Sequence, residues 1–136
     1  MNTPDTITKL LQETHTIAVV GLSSDPNKPA HYVPAYLQDH GYRILPVNPN
    51  IEEALGETAY PDLASLPAAP DLVLIFRRSE AVPPIVDAAI ARGAKAVWMQ
   101  QGIVNEAAAA TARAAGLPVV MDTCMMVAHR SRSSTP

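Results

Sequence analysis

The residues best suited to chemistry fall in a few short polar segments. The first is Gly21-Leu22-Ser23-Ser24-Asp25-Pro26-Asn27-Lys28-Pro29-Ala30. Gly21 permits a sharp turn and a close approach of the backbone to a ligand. Ser23 and Ser24 bring hydroxyl and amide donors, and Lys28 brings a positive charge. The helix expected next aims its amino end, the end that favours anions, at the same space. Together these features suit a pyrophosphate. They are neither the G-x-G-x-x-G dinucleotide fingerprint, whose second and third glycines are missing, nor a P-loop. Taken alone, the segment also reads as a tight turn shaped by Gly21 and the serines.

Arg77 and Arg78 form the second group. Two arginines at a strand end can clamp a phosphate. Adjacent residues leave a strand in opposite directions, so at most one faces a ligand. The competing reading is surface pairing with Glu80 or Asp71. Asn48-Pro49 is a third group, placed where an adenosine lies in folds of this kind, or else a Pro-stiffened turn.

Catalytic groups are harder to assemble. His15, His31, His40 and His129 have no spacing for a metal triad. His15 precedes the first strand, at the wrong end of the sheet. His40 adjoins Gly41 and is expected to meet the last carbonyls of a helix. His31 alone lies in a candidate loop, and His129 could fold back from beyond the last strand. No Ser-His-Asp set or carboxylate pair follows from the spacing. Cys124, the one cysteine, excludes an internal disulfide and a zinc knuckle. An inert buried thiol is the commoner fate of such a residue. Should the arm of a thiol cofactor reach it, a mixed disulfide could form under oxidation.

These groups need a scaffold, and the apolar pattern supplies one. Thr16–Val20 is a β-branched run of the kind buried on both faces of a parallel sheet. Arg43–Val47, Leu72–Phe76, Ala96–Met99 and Leu117–Met121 read as further strands. Helical spacing predicts Asp5–Thr14, capped by Asp5, then Tyr32–His40, Ala81–Arg92 and Asn105–Ala115. Gly41, Gly93 and Gly116 close the last three, and Pro83 and Pro84 fall in a first turn, where they are tolerated. Between Ile51 and Pro70 the chain is mostly loop, with a short edge strand at Thr58–Pro61 and one helical turn at Asp62–Leu66. Strict alternation of strand and helix predicts a three-layer α/β sandwich, Rossmann-like, with a mostly parallel sheet of about five strands. In such sheets ligands bind beyond the carboxyl ends of the strands. That rule selects the Gly21 loop, Asn48-Pro49-Asn50, Arg77-Arg78-Ser79, Gln100-Gln101-Gly102 and Asp122-Thr123-Cys124.

Composition agrees with one domain. The chain has 136 residues, 48% of them hydrophobic and 17% charged, enough apolar material for a buried core. A net charge of −3 argues against a nucleic-acid partner. The only strongly basic tract, His129-Arg130-Ser131-Arg132, reads as a frayed terminus, so a domain over residues 5–130 and a flexible tail over 131–136 are expected. The opening Met1-Asn2-Thr3-Pro4-Asp5 lacks the regions of a signal peptide, and no apolar run is long enough to span a membrane. A cytoplasmic location is expected.

Several segments, in order and spacing, resemble the stand-alone CoA-binding domain proteins. They are Ile17-Ala18-Val19-Val20-Gly21-Leu22-Ser23, His40-Gly41-Tyr42-Arg43-Ile44-Leu45-Pro46-Val47-Asn48-Pro49 and Leu55-Gly56-Glu57-Thr58-Ala59-Tyr60-Pro61. Phe76-Arg77-Arg78-Ser79-Glu80-Ala81-Val82-Pro83, Gly93-Ala94-Lys95-Ala96-Val97-Trp98-Met99-Gln100 and Gly102-Ile103-Val104-Asn105-Glu106 add to them. That family is similar to the amino-terminal domain of the succinyl-CoA synthetase α subunit. The resemblance implies coenzyme A as cofactor, with Gly21, Leu22, Ser23, Ser24 and Lys28 around its phosphates. It implies Val47, Asn48 and Pro49 against the adenosine, and Phe76, Arg77 and Arg78 in the middle of the cleft. Met99, Gln100 and Gln101 would lie near the pantetheine arm. The synthetases carry a phosphorylated histidine on a second domain, which is not expected here. Two departures stand out: Thr123 replaces the arginine usual between Asp122 and Cys124, and the acidic residue common before His129 is missing.

The expected function is binding of CoA or an acyl-CoA without catalysis of its own, by a monomer or homo-oligomer. One alternative is an NAD(P)-dependent oxidoreductase, opposed by the missing glycines and by Asn48 where a ribose-binding acid would stand. Another is an enzyme of CoA thioesters using His31, His129 or Cys124, opposed by the lack of a readable acid–base pair.

Overall fold

The computed structural model describes residues 3–133. Its sheet strands are Thr16–Val20 (β1), Arg43–Val47 (β2), Leu72–Ile75 (β3), Val97–Met99 (β4) and Val119–Val120 (β5). All pair in parallel, in the order β2-β1-β3-β4-β5. The chain steps outward from β1 to β2 and then crosses to β3 on the other side. The strand order therefore reverses between β1 and β3, which opens a crevice at their carboxyl ends.

The helices are Pro4–Glu13 (α1), Pro29–Asp39 (α2), Val82–Arg92 (α3), Glu106–Ala114 (α4) and Met125–Ser133 (α5). Strand side chains alternate between two cores, as the pleat requires. Ala18, Val20, Val73, Ile75, Val97 and Met99 meet Val86 and Ala89 of α3 and Ala108 and Ala112 of α4. Ile17, Val19, Ile44, Leu74 and Trp98 meet Leu10 of α1, Val33 and Leu37 of α2, and Met125 of α5. Helices on both faces explain why the strands are apolar apart from Thr16 and Arg43 at their starts. This is the Rossmann-like three-layer α/β arrangement expected from the sequence.

Some boundaries shift. Thr3, not Asp5, caps α1, its hydroxyl accepting the Thr6 N–H, while Pro4 begins the helix. Helix α2 starts at Pro29, three residues before the expected Tyr32, because a proline suits a first turn. The Thr58–Pro61 strand is replaced by a hairpin of Glu53–Ala54 with Glu57–Thr58, and Tyr60 bridges to Val47 in parallel. Asp62 caps the expected helical turn, which is a 3-10 turn over Leu63–Ser65.

The largest correction is at the carboxyl end. The tract read as a frayed terminus belongs to α5, so the expected boundary at residue 131 falls inside a helix. Tyr36 of α2 and His129 hydrogen-bond at 2.8 Å, and Arg132 donates to the Thr8 hydroxyl of α1. The rest of that tail, residues 134–136, lies outside the described residues. Among the described residues, no helix is long and apolar enough to cross a membrane.

Candidate functional site

Where β1 ends, Gly21 takes φ +90°, a left-handed conformation that glycine adopts without strain. Its N–H donates to Val47 O of β2 at 2.9 Å, and Phe76 N beyond β3 donates to Val20 O at 2.9 Å. A Cβ at position 21 would sit 2.8 Å from the Phe76 carbonyl oxygen. The glycine thus lets two strand ends close on each other at the switch point.

The following loop is held from three sides. Asn48 donates from Nδ2 to Leu22 O at 2.9 Å. Ser23 N donates to Ala30 O, in the first turn of α2. That carbonyl would ordinarily receive the N–H of residue 34, but residue 34 is proline and has none. Pro34, buried in the helix, leaves the Ala30 acceptor to the loop. His31 Nδ1 donates to Ser23 O at 2.7 Å, which puts the ring proton on Nδ1. Ser23 Oγ accepts Asp25 N–H, and Asp25 Oδ1 accepts Asn27 N–H, so local side-chain bonds complete the turn. Lys28, exposed at the start of α2, and exposed Ser24 stand on this fixed loop.

Two hollows flank the corner. The smaller, about 210 Å³, lies between β2 and α3 and is lined by Pro49, Pro61, Asp62, Arg77, Ile85 and Ala88 among others. The larger, about 450 Å³, lies toward α2, β4 and α5, and includes Lys28, Phe76, Gln100, Gln101 and Cys124. The two arginines separate as the strand geometry requires. Arg77 lines the smaller hollow. Arg78 turns to solvent, 3.9 Å from Glu80, the surface pairing that the sequence also allowed.

Not every expected site residue offers an open side chain. Leu22 and Met99 are fully buried and line neither hollow, whereas Val47, 3% exposed, lines the smaller one. Gln100 is buried too, and its Oε1 accepts the Met125 N–H at the start of α5. Gln101 is exposed beside it. The loop after β5 is tied across: Trp98 Nε1 donates to Thr123 O, and Gly102 N–H to Asp122 Oδ1. Sequence reasoning missed Pro61, Asp62, Ile85 and Ala88 of the smaller hollow and Tyr32, Ile103, Met126 and Val127 of the larger. The spacing of Ile85 and Ala88 on one helical face was the available signal.

The histidines form no catalytic pair at the corner. His40 Nδ1 bonds the Tyr36 carbonyl, as its place at a helix end suggested. His129 folds back, but onto Tyr36, His40 and Tyr42 rather than into the cleft. His15 lies at the far rim, where its N–H and that of Thr16 donate to Asp71. A further hollow of about 370 Å³ occupies that rim, lined by Lys9, Glu13, Asp71 and Lys95 among others. Its opposed charges largely cancel, and Lys95 already sits 3.6 Å from Asp71, so it suits an anionic diphosphate poorly. Among the described residues no cluster of His, Cys, Asp or Glu could hold a metal ion.

The CoA binding domain family matches residues 15–130. The uncharacterized protein YneT of Bacillus subtilis (strain 168) is 44% identical over 123 residues, covering 90% of this chain and 91% of that protein. Acetate–CoA ligase [ADP-forming] II of Archaeoglobus fulgidus is 30% identical over 94 residues, 67% of this chain but 14% of the ligase. A solved structure of Prb, the PH1109 protein redesigned for binding, superposes with a TM-score of 0.95 at 37% identity, over 100% of this chain and 96% of that one. With the family match spanning nearly the whole fold, the chain belongs to the CoA binding domain family.

Proposed function

We propose that this protein binds coenzyme A across the β1–β3 corner and has no catalytic activity of its own. The observation that carries the reading is the Gly21 corner: a fixed loop, the amino end of α2 and Lys28, with one hollow on each side. The diphosphate sits at Gly21–Ser24 and Lys28, where helix dipole and cation both favour negative charge. The adenosine takes the smaller hollow, against Pro49, with Arg77 turned toward it. Asn48 acts from behind by holding Leu22. The pantetheine arm runs past Phe76 into the larger hollow, towards Gln100 and Gln101. A cytoplasmic store, sensor or partner-directed carrier of the cofactor fits such a module.

Dinucleotide oxidoreduction is the weaker reading. Position 48 is an amide already committed to Leu22 O and to the Asn50 N–H. It offers no carboxylate to a ribose. Thermal unfolding followed against ligand concentration tests the proposal. CoA raises Tm progressively, NAD does not, and Arg77→Ala weakens CoA binding by about tenfold, the scale of one charge-assisted contact. A shift with NAD and none with CoA would reject the proposal.

A further inference from the structure

We infer that the larger hollow selects CoA thioesters carrying an apolar acyl chain over free CoA and over short acyl groups ending in a carboxylate, such as succinyl, that stop before Arg132; this rests on the binding mode just proposed. Among the described residues only three large apolar side chains are exposed: Tyr32 at 42%, Val104 at 42% and Val127 at 46%. Two of them, Tyr32 and Val127, line this one hollow. Its wall continues through Val33, Phe76, Ile103 and Met126, and Lys28 is its only charged lining residue.

Lys28 stands at the loop end of the hollow, where the diphosphate would engage it. No cation is then left in that hollow for a terminal carboxylate, and burying an unpaired carboxylate is costly. An aliphatic chain, in contrast, covers side chains that water now wets. The volume, about 450 Å³, is in the range of small-molecule sites.

The path does not stop at Cys124. A neighbouring hollow of about 440 Å³ shares Gln101, Cys124 and Val127 with the first and runs over α5 towards Ile7 of α1. Arg132 lies at its far end, with Nε on the Thr8 hydroxyl and Nη1 on Ala128 O. A chain longer than acetyl therefore has further apolar surface to follow. Val127, 46% exposed, lines both hollows.

Titration calorimetry of the full chain with CoA, acetyl-CoA, octanoyl-CoA and succinyl-CoA tests this. Each well-buried methylene tightens binding by roughly fourfold at most. Even partial burial predicts octanoyl-CoA at least about tenfold tighter than CoA, and succinyl-CoA no tighter than CoA. Val127→Asp and, separately, Tyr32→Ser should bring the ratio of the CoA and octanoyl-CoA constants towards one. Equal affinities for CoA and octanoyl-CoA would overturn the inference while leaving CoA binding intact. No binding of any of the four would overturn the binding mode itself. A concentration-dependent dimer that Val127→Asp dissolves, together with equal affinities, would mean that a second copy covers this rim instead.

Discussion

Gly21 does its work through what it lacks. Its positive φ and the Phe76 carbonyl oxygen 2.8 Å from a would-be Cβ leave room for hydrogen only. The neighbour is backbone at the end of β3, so it cannot rotate aside. Gly21→Ala is expected to lower stability by about 1–3 kcal/mol, from backbone strain together with displacement of the two strand ends. Urea unfolding measures it, and CoA affinity should fall with it because the loop is aimed from this corner. A stable Gly21→Ala protein with unchanged affinity would show that the close approach matters little. Gly21 was legible in the sequence as a turn before a polar loop. Its tight contact with Phe76 was not, since a partner 55 residues away depends on which strand lies beside β1.

At the scale of elements, the sheet and four of the helices were readable because their signals are local. Thr16–Val20 and Arg43–Val47 are short apolar runs bounded by turn residues, and Asn105 caps α4 through Ala108 N–H. Helix α5 was not readable. Its residues Met125–Ser133 are polar on balance, and docking comes from rings on distant segments: His129 meets Tyr36, His40 and Tyr42. That docking carries a pH signature. Burial first, and then the nearby charge of His40, hold His129 below the ordinary imidazole value of 6.5. The unfolded chain thus takes up its proton at higher pH than the folded protein does. Stability is full above 6.5 and declines as pH falls from there towards the lower folded value.

Asp71 acts in a separate window. Burial pushes its carboxyl up, but the His15 and Thr16 N–H groups, with the charges of Lys95 and His15, outweigh that and leave it below 3.8. Its contribution is present above the unfolded value and is lost only as pH falls through the lower folded one. Between pH 7 and about 5 the loss therefore belongs to α5 rather than to Asp71. Tm should drop over that range, and His129→Gln should flatten the slope. An unaltered slope in the variant would separate α5 from the effect.

For the whole molecule, the arrangement of strands decides where function can sit. The order β2-β1-β3-β4-β5 puts one switch point beside β1. The Gly21 loop, Asn48, Arg77 and Gln101 all emerge at that edge. The opposite edge carries the mixed-charge hollow of Lys9, Glu13, Asp71 and Lys95. The parallel sheet and its crevice followed from strand–helix alternation, and so did the loops at its rim. The division of labour within the rim did not. Whether Arg77 or Arg78 faces inward depends on the strand's exit, and whether Met99 is wall or contact depends on which face the helices cover.

The most direct test is an amide NMR titration of the assigned protein with CoA. The account predicts saturable shifts concentrated at Gly21–Lys28 and at the start of α2, extending to Arg77 and Gln101, with the amides around Lys9, Asp71 and Lys95 unmoved. Shifts gathered at that opposite rim, or none anywhere at saturating CoA, would contradict it.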